Sequence, residues 1–128
     1  MYQIEKIGKS YFYIKAIGDF PPPMAKKFVI EFRELAYDID KDLRVIVDIS
    51  DAILLNINSI ELILNLLKEN NQRLYKSAFI ISYNPPLGEE FRYLFEKAQN
   101  DKRKIVHSLD EAKEWIEIED IILKKNNQ

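Results

Sequence analysis

Cysteine is absent from this 128-residue chain, and glycine and histidine are scarce, with three residues and one residue respectively. The lack of cysteine excludes disulfide bonds, thiolate metal sites and a cysteine nucleophile. The glycines, Gly8, Gly18 and Gly88, are isolated from one another, whereas a Walker loop or a dinucleotide-binding fingerprint needs closely spaced glycines. The sequence therefore predicts no nucleotide-type cofactor, and we expect no cofactor of any kind.

An excess of charge of one sign and long apolar runs are also missing. The 19 basic and 21 acidic residues give a net charge of -2, which provides no long-range field to attract nucleic acid. No run approaches the roughly 18 apolar residues that a membrane span requires, and the first residues lack a signal-peptide pattern. These absences predict a cytoplasmic protein with no nucleic-acid partner and no membrane span.

Apolar and aromatic residues are plentiful enough for a packed core. They make up 47% and 12% of the chain, and a chain of this length buries about two-thirds of its unfolded surface when it folds. No linker, repeat or low-complexity segment interrupts the pattern. We predict a single domain over residues 1–128, with the last few residues, 124–128, frayed.

The hydrophobic periodicity alternates between strand and helix. Strands are predicted over residues 2–7, 11–17, 43–49, 77–83 and 104–107, and helices over residues 23–38, from 58, over 89–99 and from 108. Residues 117–125 either extend the last helix or form a terminal strand. Short connections between alternating elements predict an α/β fold with a mixed, mainly parallel sheet, an N-terminal hairpin and about four helices.

The segment from Arg44 to Leu64 carries the clearest sign of a functional surface. An apolar strand is followed by the polar turn Asn56-Ile57-Asn58-Ser59, which leads directly into an amphipathic helix. Turns of this kind line the crevice where α/β proteins bind their ligands. Asn58 is the predicted helix cap, with Glu61 returning its hydrogen bond as in a capping box. Ile57 is predicted either to contact a partner or to fold inward against the helix.

Several polar residues follow the predicted strands and should meet at one rim of the sheet: Asp19, Asp48, Ser50, Asp51, Tyr83, Asn84, His107 and Ser108. Asp48 and Asp51 are Mg²⁺-type ligands, but an acid at a strand end more often accepts hydrogen bonds from the turn that follows. His107 and Ser108 lack an orienting acid and a glycine-rich oxyanion elbow, so Ser108 is predicted to cap a helix. We predict no metal site and no catalytic residue.

Two further features of the sequence are candidates for a site. Asp48 occupies a position like that of a receiver-domain phosphoacceptor, but the acid pair that such a domain needs is not at the right element. The basic run Lys102-Arg103-Lys104 adjoins Asp101, and the pattern is typical of a solvated turn.

Val47-Asp48-Ile49-Ser50 and the element order resemble the STAS domains, the sulfate transporter and anti-sigma-factor antagonist domains. The final segment, SLDEAKEW, is similar to the last helix of that family. Bacterial antagonists of the family carry an Asp-Ser-Ser/Thr-Gly turn whose first serine is phosphorylated by a partner kinase. Here Ile57 takes the place of that serine, and Ser59 takes the place of the glycine. The resemblance implies the fold but not the phosphorylation switch.

The sequence thus predicts a non-catalytic STAS-like regulatory module that contacts a protein partner or a second copy of itself through Asn56–Ser59. An alternative is a protein that binds a small apolar or lipid-like ligand. A cavity enclosed by Phe12, Phe28, Phe32 or Phe91 would favour the alternative, and a filled core would favour the interaction module. A receiver-like protein or an uncharacterised enzyme is the third hypothesis.

Overall fold

An antiparallel hairpin forms one edge of the sheet. In the computed structural model, which describes residues 1–53, 55–81 and 84–118, β1 (Tyr2–Lys6) pairs with β2 (Tyr11–Gly18). Ile4 lies opposite Ile14, and the backbone N–H of Ile7 donates to Tyr11 O at 2.9 Å to close the loop. The alternation of side chains along β2 predicted this hairpin, and the structure confirms it.

Three parallel strands follow, and each is reached through a helix. The remaining elements are α1 (Pro22–Leu35), β3 (Leu43–Ala52), α2 (Ile57–Asn70), β4 (Leu74–Ile80), α3 (Pro85–Ala98), β5 (Arg103–Val106) and α4 (Leu109–Ile116). The strands lie in the order β1-β2-β3-β4-β5. The predicted fold class is therefore confirmed. The receiver hypothesis is wrong at the level of fold, because receivers order their strands 2-1-3-4-5.

The helices are divided unequally between the two faces of the sheet. Each crossover advances by one strand in the same direction, and right-handed connections then place α1, α2 and α3 on one face. Phe28 of α1, Leu66 of α2 and Phe91 of α3 share one hydrophobic core on that face. The short helix α4 covers part of the other face, where Ala112 and Ile116 form a second core with strand residues. Both faces of β3 are covered, which explains its nearly continuous apolar sequence.

A β-bulge interrupts the pairing of β2 with β3. Lys15 pairs with Asp48, but Ile17 pairs with Asp51, so β3 contains one more residue than β2 over this stretch. A bulge of this kind redirects the side chains that follow it. Because of this bulge, Lys15 lies near both Asp48 and Asp51.

Element boundaries differ from the sequence prediction where proline and asparagine act at helix starts. Asn56, not Asn58, caps α2, and its side chain accepts a hydrogen bond from Asn58 N at 2.9 Å. Helix α3 begins at Pro85 instead of residue 89, because Asn84 caps it and proline suits the first turn. Tyr83 and residues 119–128 lie outside the described residues, as does most of the predicted terminal extension. Within the described part, no helix is long and apolar enough to cross a membrane.

The basic run was also assigned wrongly. Lys102 lies in the turn, but Arg103 begins β5 and is only 7% exposed. Because side chains alternate along β5, Arg103 faces the side of the sheet that α1, α2 and α3 cover, while Lys104 faces the side of α4. Of the three basic residues in the run, only Arg103 is buried in the core.

Candidate functional site

The turn that leads into α2 presents one apolar side chain to solvent. Ile57 is 73% exposed, and its neighbours Asn56 and Asn58 are exposed as well. Inward packing of Ile57 against the helix is therefore excluded. Ser59 differs from the other three residues because it is completely buried, and its Oγ donates to Phe20 O at 2.6 Å. Only Asn56, Ile57 and Asn58 are available for contact from outside.

Hydrogen bonds fix the backbone of this turn. Leu55 N donates to Glu90 Oε1 of α3 at 2.9 Å, and Ile60 N donates to Asn56 O at 2.9 Å. The Asn56 cap satisfies one of the free N–H groups of the helix start. Together with the Ser59 anchor, these bonds hold Ile57 on a rigid support.

Asp48 is an internal hydrogen-bond acceptor on the α4 side of the sheet. Tyr13 Oη donates to Asp48 Oδ2 at 2.9 Å, and Ser50 donates to Oδ1 from its backbone N–H at 3.1 Å and from Oγ at 2.7 Å. Burial by itself would raise the pKa of Asp48, but the bonds from Ser50 and Tyr13, with the nearby Lys15, lower that pKa below its ordinary value. Burial, with the bond to Asp48, raises the pKa of Tyr13. This arrangement stabilises β2 against β3.

The remaining rim residues do not gather into a chemical site. Asp51 is exposed, and its Oδ2 lies 4.0 Å from Lys15 Nζ. Asp19 is exposed, and Asn84 caps α3 by accepting from Leu87 N at 3.3 Å. Over the described ranges, no group of three or more His, Cys, Asp and Glu residues is placed to hold a metal ion.

His107 and Ser108 serve the start of α4. Ser108 Oγ accepts from Glu111 N at 3.1 Å, which is the predicted helix cap. His107 Nδ1 lies 3.1 Å from Ile81 O. Within the described ranges no hydrogen bond joins these two side chains, and each has its own backbone partner.

A cavity of about 110 Å³ lies between the sheet and helices α1 to α3. Phe28, Phe32 and Phe91 line it, as the ligand-binding alternative requires, whereas Phe12 does not. At the carboxyl end of β3 the lining includes Ile53, which is 54% exposed, so this end of the cavity meets the surface. Its walls are almost entirely apolar.

Polar side chains enter the cavity wall at the opposite end of the strands. Ser77, Arg103 and Asn70 are all buried and all line the cavity. Ser77 could have been noticed as the one polar residue that begins an apolar strand. Arg103 gave no such signal, because a basic run at a turn is ordinarily solvated.

No protein-family model and no curated protein matches the sequence. Solved structures do match over nearly the whole chain. An uncharacterised protein of the DUF3478 family with a SpoIIAA-like fold, from Shewanella loihica PV-4, is 15% identical, with a TM-score of 0.71 over 91% of this chain and 92% of that one.

Two further structures give the same result. The protein TM1081, solved by NMR, is 17% identical, with a TM-score of 0.67 over 93% of this chain and 90% of its own. The anti-sigma-factor antagonist SpoIIAA, in its unphosphorylated form, is 9% identical, with a TM-score of 0.62 over 87% of this chain and 92% of its own. At such identities the likeness concerns the fold alone, and the fold of this chain is STAS-like, of the SpoIIAA type.

Proposed function

We propose that this chain is a non-catalytic STAS-like recognition module that binds a protein partner, or a second copy of itself, through Asn56, Ile57 and Asn58. The observation that carries the proposal is the 73% exposure of Ile57 on a turn whose backbone is fixed on both sides. A rigid apolar anchor loses little conformational freedom on binding, and apolar anchors suit the centre of an interface. We place its action in the bacterial cytoplasm, in keeping with the composition.

The electrostatics of the turn favour an acidic group on the partner. The start of α2 carries free backbone N–H groups and the positive end of the helix dipole, and the first turn contains no acidic residue. A partner carboxylate placed beside Ile57 would gain from both. The module thus combines an apolar contact with a complementary charge.

The same turn supports a module that is not switched by phosphorylation. Ile57 stands where STAS antagonists carry their phosphorylated serine, and a hydrocarbon side chain cannot accept phosphate. Ser59 is the one hydroxyl-bearing residue of the Asn56–Ser59 turn, but it is fully buried and bonded to Phe20 O. We therefore infer that binding is not regulated by a charge added at this position.

The test is Ile57→Asp, with Ile30→Asp as the matched control, because Ile30 is a 55% exposed isoleucine on α1, away from the turn. Self-association is measured by sedimentation, and partner binding by quantitative pull-down from the native cell. We expect Ile57→Asp alone to abolish association. Association that survives the Ile57 change, or is lost equally with Ile30→Asp, rejects this surface.

The cavity favours a second function, the binding of a small apolar ligand. Three of the four phenylalanines named for this alternative line a cavity of about 110 Å³, and apolar cavities of this order accept molecules such as benzene. Ile53 at the open end precedes the Asn56–Asn58 turn by only a few residues, so ligand binding and partner binding are compatible. The measurement is the change in unfolding temperature with hexanol. No change at saturating hexanol rejects this second function.

A further inference from the structure

Arg103 is a buried cation without an anionic partner among the described residues. It is 7% exposed, and its guanidinium donates from Nη1 to Asn71 Oδ1 at 2.8 Å and from Nη2 to Leu67 O at 2.7 Å. Both acceptors are neutral, and no described carboxylate forms an ion pair with this residue. A guanidinium has five N–H donors, so protein acceptors in the described ranges use only part of its capacity.

Burial of this charge is energetically costly. Burial lowers the pKa of Arg103 to about 10, which still leaves the group cationic at neutral pH. Buried charges in proteins are ordinarily paired, because removing an ion from water is expensive. An unpaired buried arginine therefore points to an anion that binds beside it.

Ser77 gives a second, independent indication that a ligand binds beside Arg103. Its Oγ is buried and has no hydrogen-bond partner among the residues that the structure describes. Ser77 pairs with Arg103 across β4 and β5, so the two residues are lateral neighbours on the cavity side of the sheet. Buried polar atoms without partners are rare and call for an explanation. A ligand oxygen that accepts from both Ser77 and Arg103 would satisfy them together.

We propose that Arg103 and Ser77 bind the carboxylate of a small apolar carboxylic acid whose hydrocarbon part occupies the cavity. This inference rests on the second function proposed above, ligand binding in the cavity. The apolar walls exclude a polar ligand body, and the volume of about 110 Å³ requires a compact one. The positive charge selects an anion, and the planar fork of arginine matches a carboxylate.

A purely structural role for Arg103 is the competing explanation. Its bond to Leu67 O ties it to the last turn of α2, where a cation stabilises the helix end. Arg73 likewise donates to backbone carbonyls in the segment after α1, because its Nη1 bonds to Ala36 O at 2.6 Å and to Ile39 O at 2.8 Å. Arg73 does not line the cavity, so it is a matched control for helix-end contacts.

The experiment compares hexanoic acid with hexanol at neutral pH, using the full chain. We expect the acid to bind about tenfold or more tightly than the alcohol, because a charge-assisted hydrogen bond is stronger than a neutral one. Arg103→Gln should remove that preference and leave hexanol binding unchanged. Arg73→Gln should lower stability and keep the preference. Calorimetric titration measures each affinity.

The outcomes distinguish a failure of the carboxylate assignment from a failure of cavity binding itself. If both probes bind equally, or if Arg103→Gln keeps the preference for the acid, the carboxylate assignment is overturned while cavity binding stands. If neither probe binds, both are overturned. Should Arg103→Gln fail to fold, NMR of the wild-type protein decides. The Arg103 Nε–Hε signal should shift with hexanoic acid and stay in place with hexanol, and the reverse or an equal response refutes the assignment.

Discussion

Ser59 Oγ donates a 2.6 Å hydrogen bond to the backbone carbonyl of Phe20, which joins the first turn of α2 to the segment that leads into α1. The bond is fully buried and spans 39 residues of sequence. It sets the position of the α2 start relative to α1, and with it the direction in which Ile57 projects.

Ser59→Ala should therefore lower stability and disturb the turn. Leaving a buried carbonyl without its partner costs about 1–3 kcal/mol in the free energy of unfolding. Urea unfolding followed by the fluorescence of the single tryptophan, Trp115, measures the loss, since its indole Nε1 donates to Ser77 O at 2.9 Å in the folded chain. Ser10→Ala, in the loop of the N-terminal hairpin, is the control. Equal stability of the two variants would mean that the Ser59 bond contributes nothing.

Ile57→Asp should leave stability nearly unchanged while it removes association. An exposed residue changes the free energy of unfolding by roughly 0.5 kcal/mol or less. The loss of a hydrophobic anchor at an interface costs about 1–3 kcal/mol of binding free energy. Circular dichroism and urea unfolding check the first value, and the affinity for the captured partner checks the second. A variant that unfolds would place Ile57 in the core, in conflict with its exposure.

Serine kinases of the type that act on STAS antagonists should leave the intact mass of this protein unchanged. Ile57 offers no hydroxyl, and Ser59 is fully buried behind its bond to Phe20 O. Intact-mass spectrometry after incubation measures the stoichiometry. The control is Ile57→Ser, which restores a hydroxyl at the exposed position and should gain one phosphate if the kinase recognises this fold. Stoichiometric phosphate on Ser50 or Ser59 of the wild-type protein would restore a switch.

Acid should weaken the fold in part through Asp48. The folded-state pKa of this carboxyl is below the value of about 3.9 that it has when unfolded. Its contribution to stability is therefore present above that unfolded value and is lost as the pH falls through the folded pKa. Asp48→Asn does not titrate, and its single amide oxygen keeps an acceptor for one of the two partners, Tyr13 or Ser50.

Urea unfolding of the wild-type protein and of Asp48→Asn over a series of acidic pH values measures this contribution. The free energy of unfolding should fall more steeply for the wild-type protein below about pH 4, because only its Asp48 takes up a proton on unfolding there. Parallel curves for the two proteins would show that Asp48 does not couple folding to pH.

Short-range sequence patterns were sufficient to predict the helices and strands and much of the turn at Asn56–Ser59. The alternation of Phe12 and Ile14 with Tyr13 predicted β2, and the Ser108 cap was identified from its spacing to Glu111. Such signals depend on residues close in sequence. Cap positions were harder, because Asn56 and Asn58 are equally good caps by residue type, and only the backbone at the helix start distinguishes them.

By itself the sequence determined the α/β order, the hairpin, the absence of thiol and phosphate-loop chemistry, and a candidate turn at Asn56–Ser59. Tertiary structure alone decided that Ile57 faces solvent while Ser59 is buried, and that Arg103 and Ser77 meet at the end of an apolar cavity. The physical reason is the sequence separation over which each kind of interaction acts. Periodicity and capping depend on neighbours three or four residues away, whereas burial and cavity shape depend on how helices far apart in sequence pack over the same sheet.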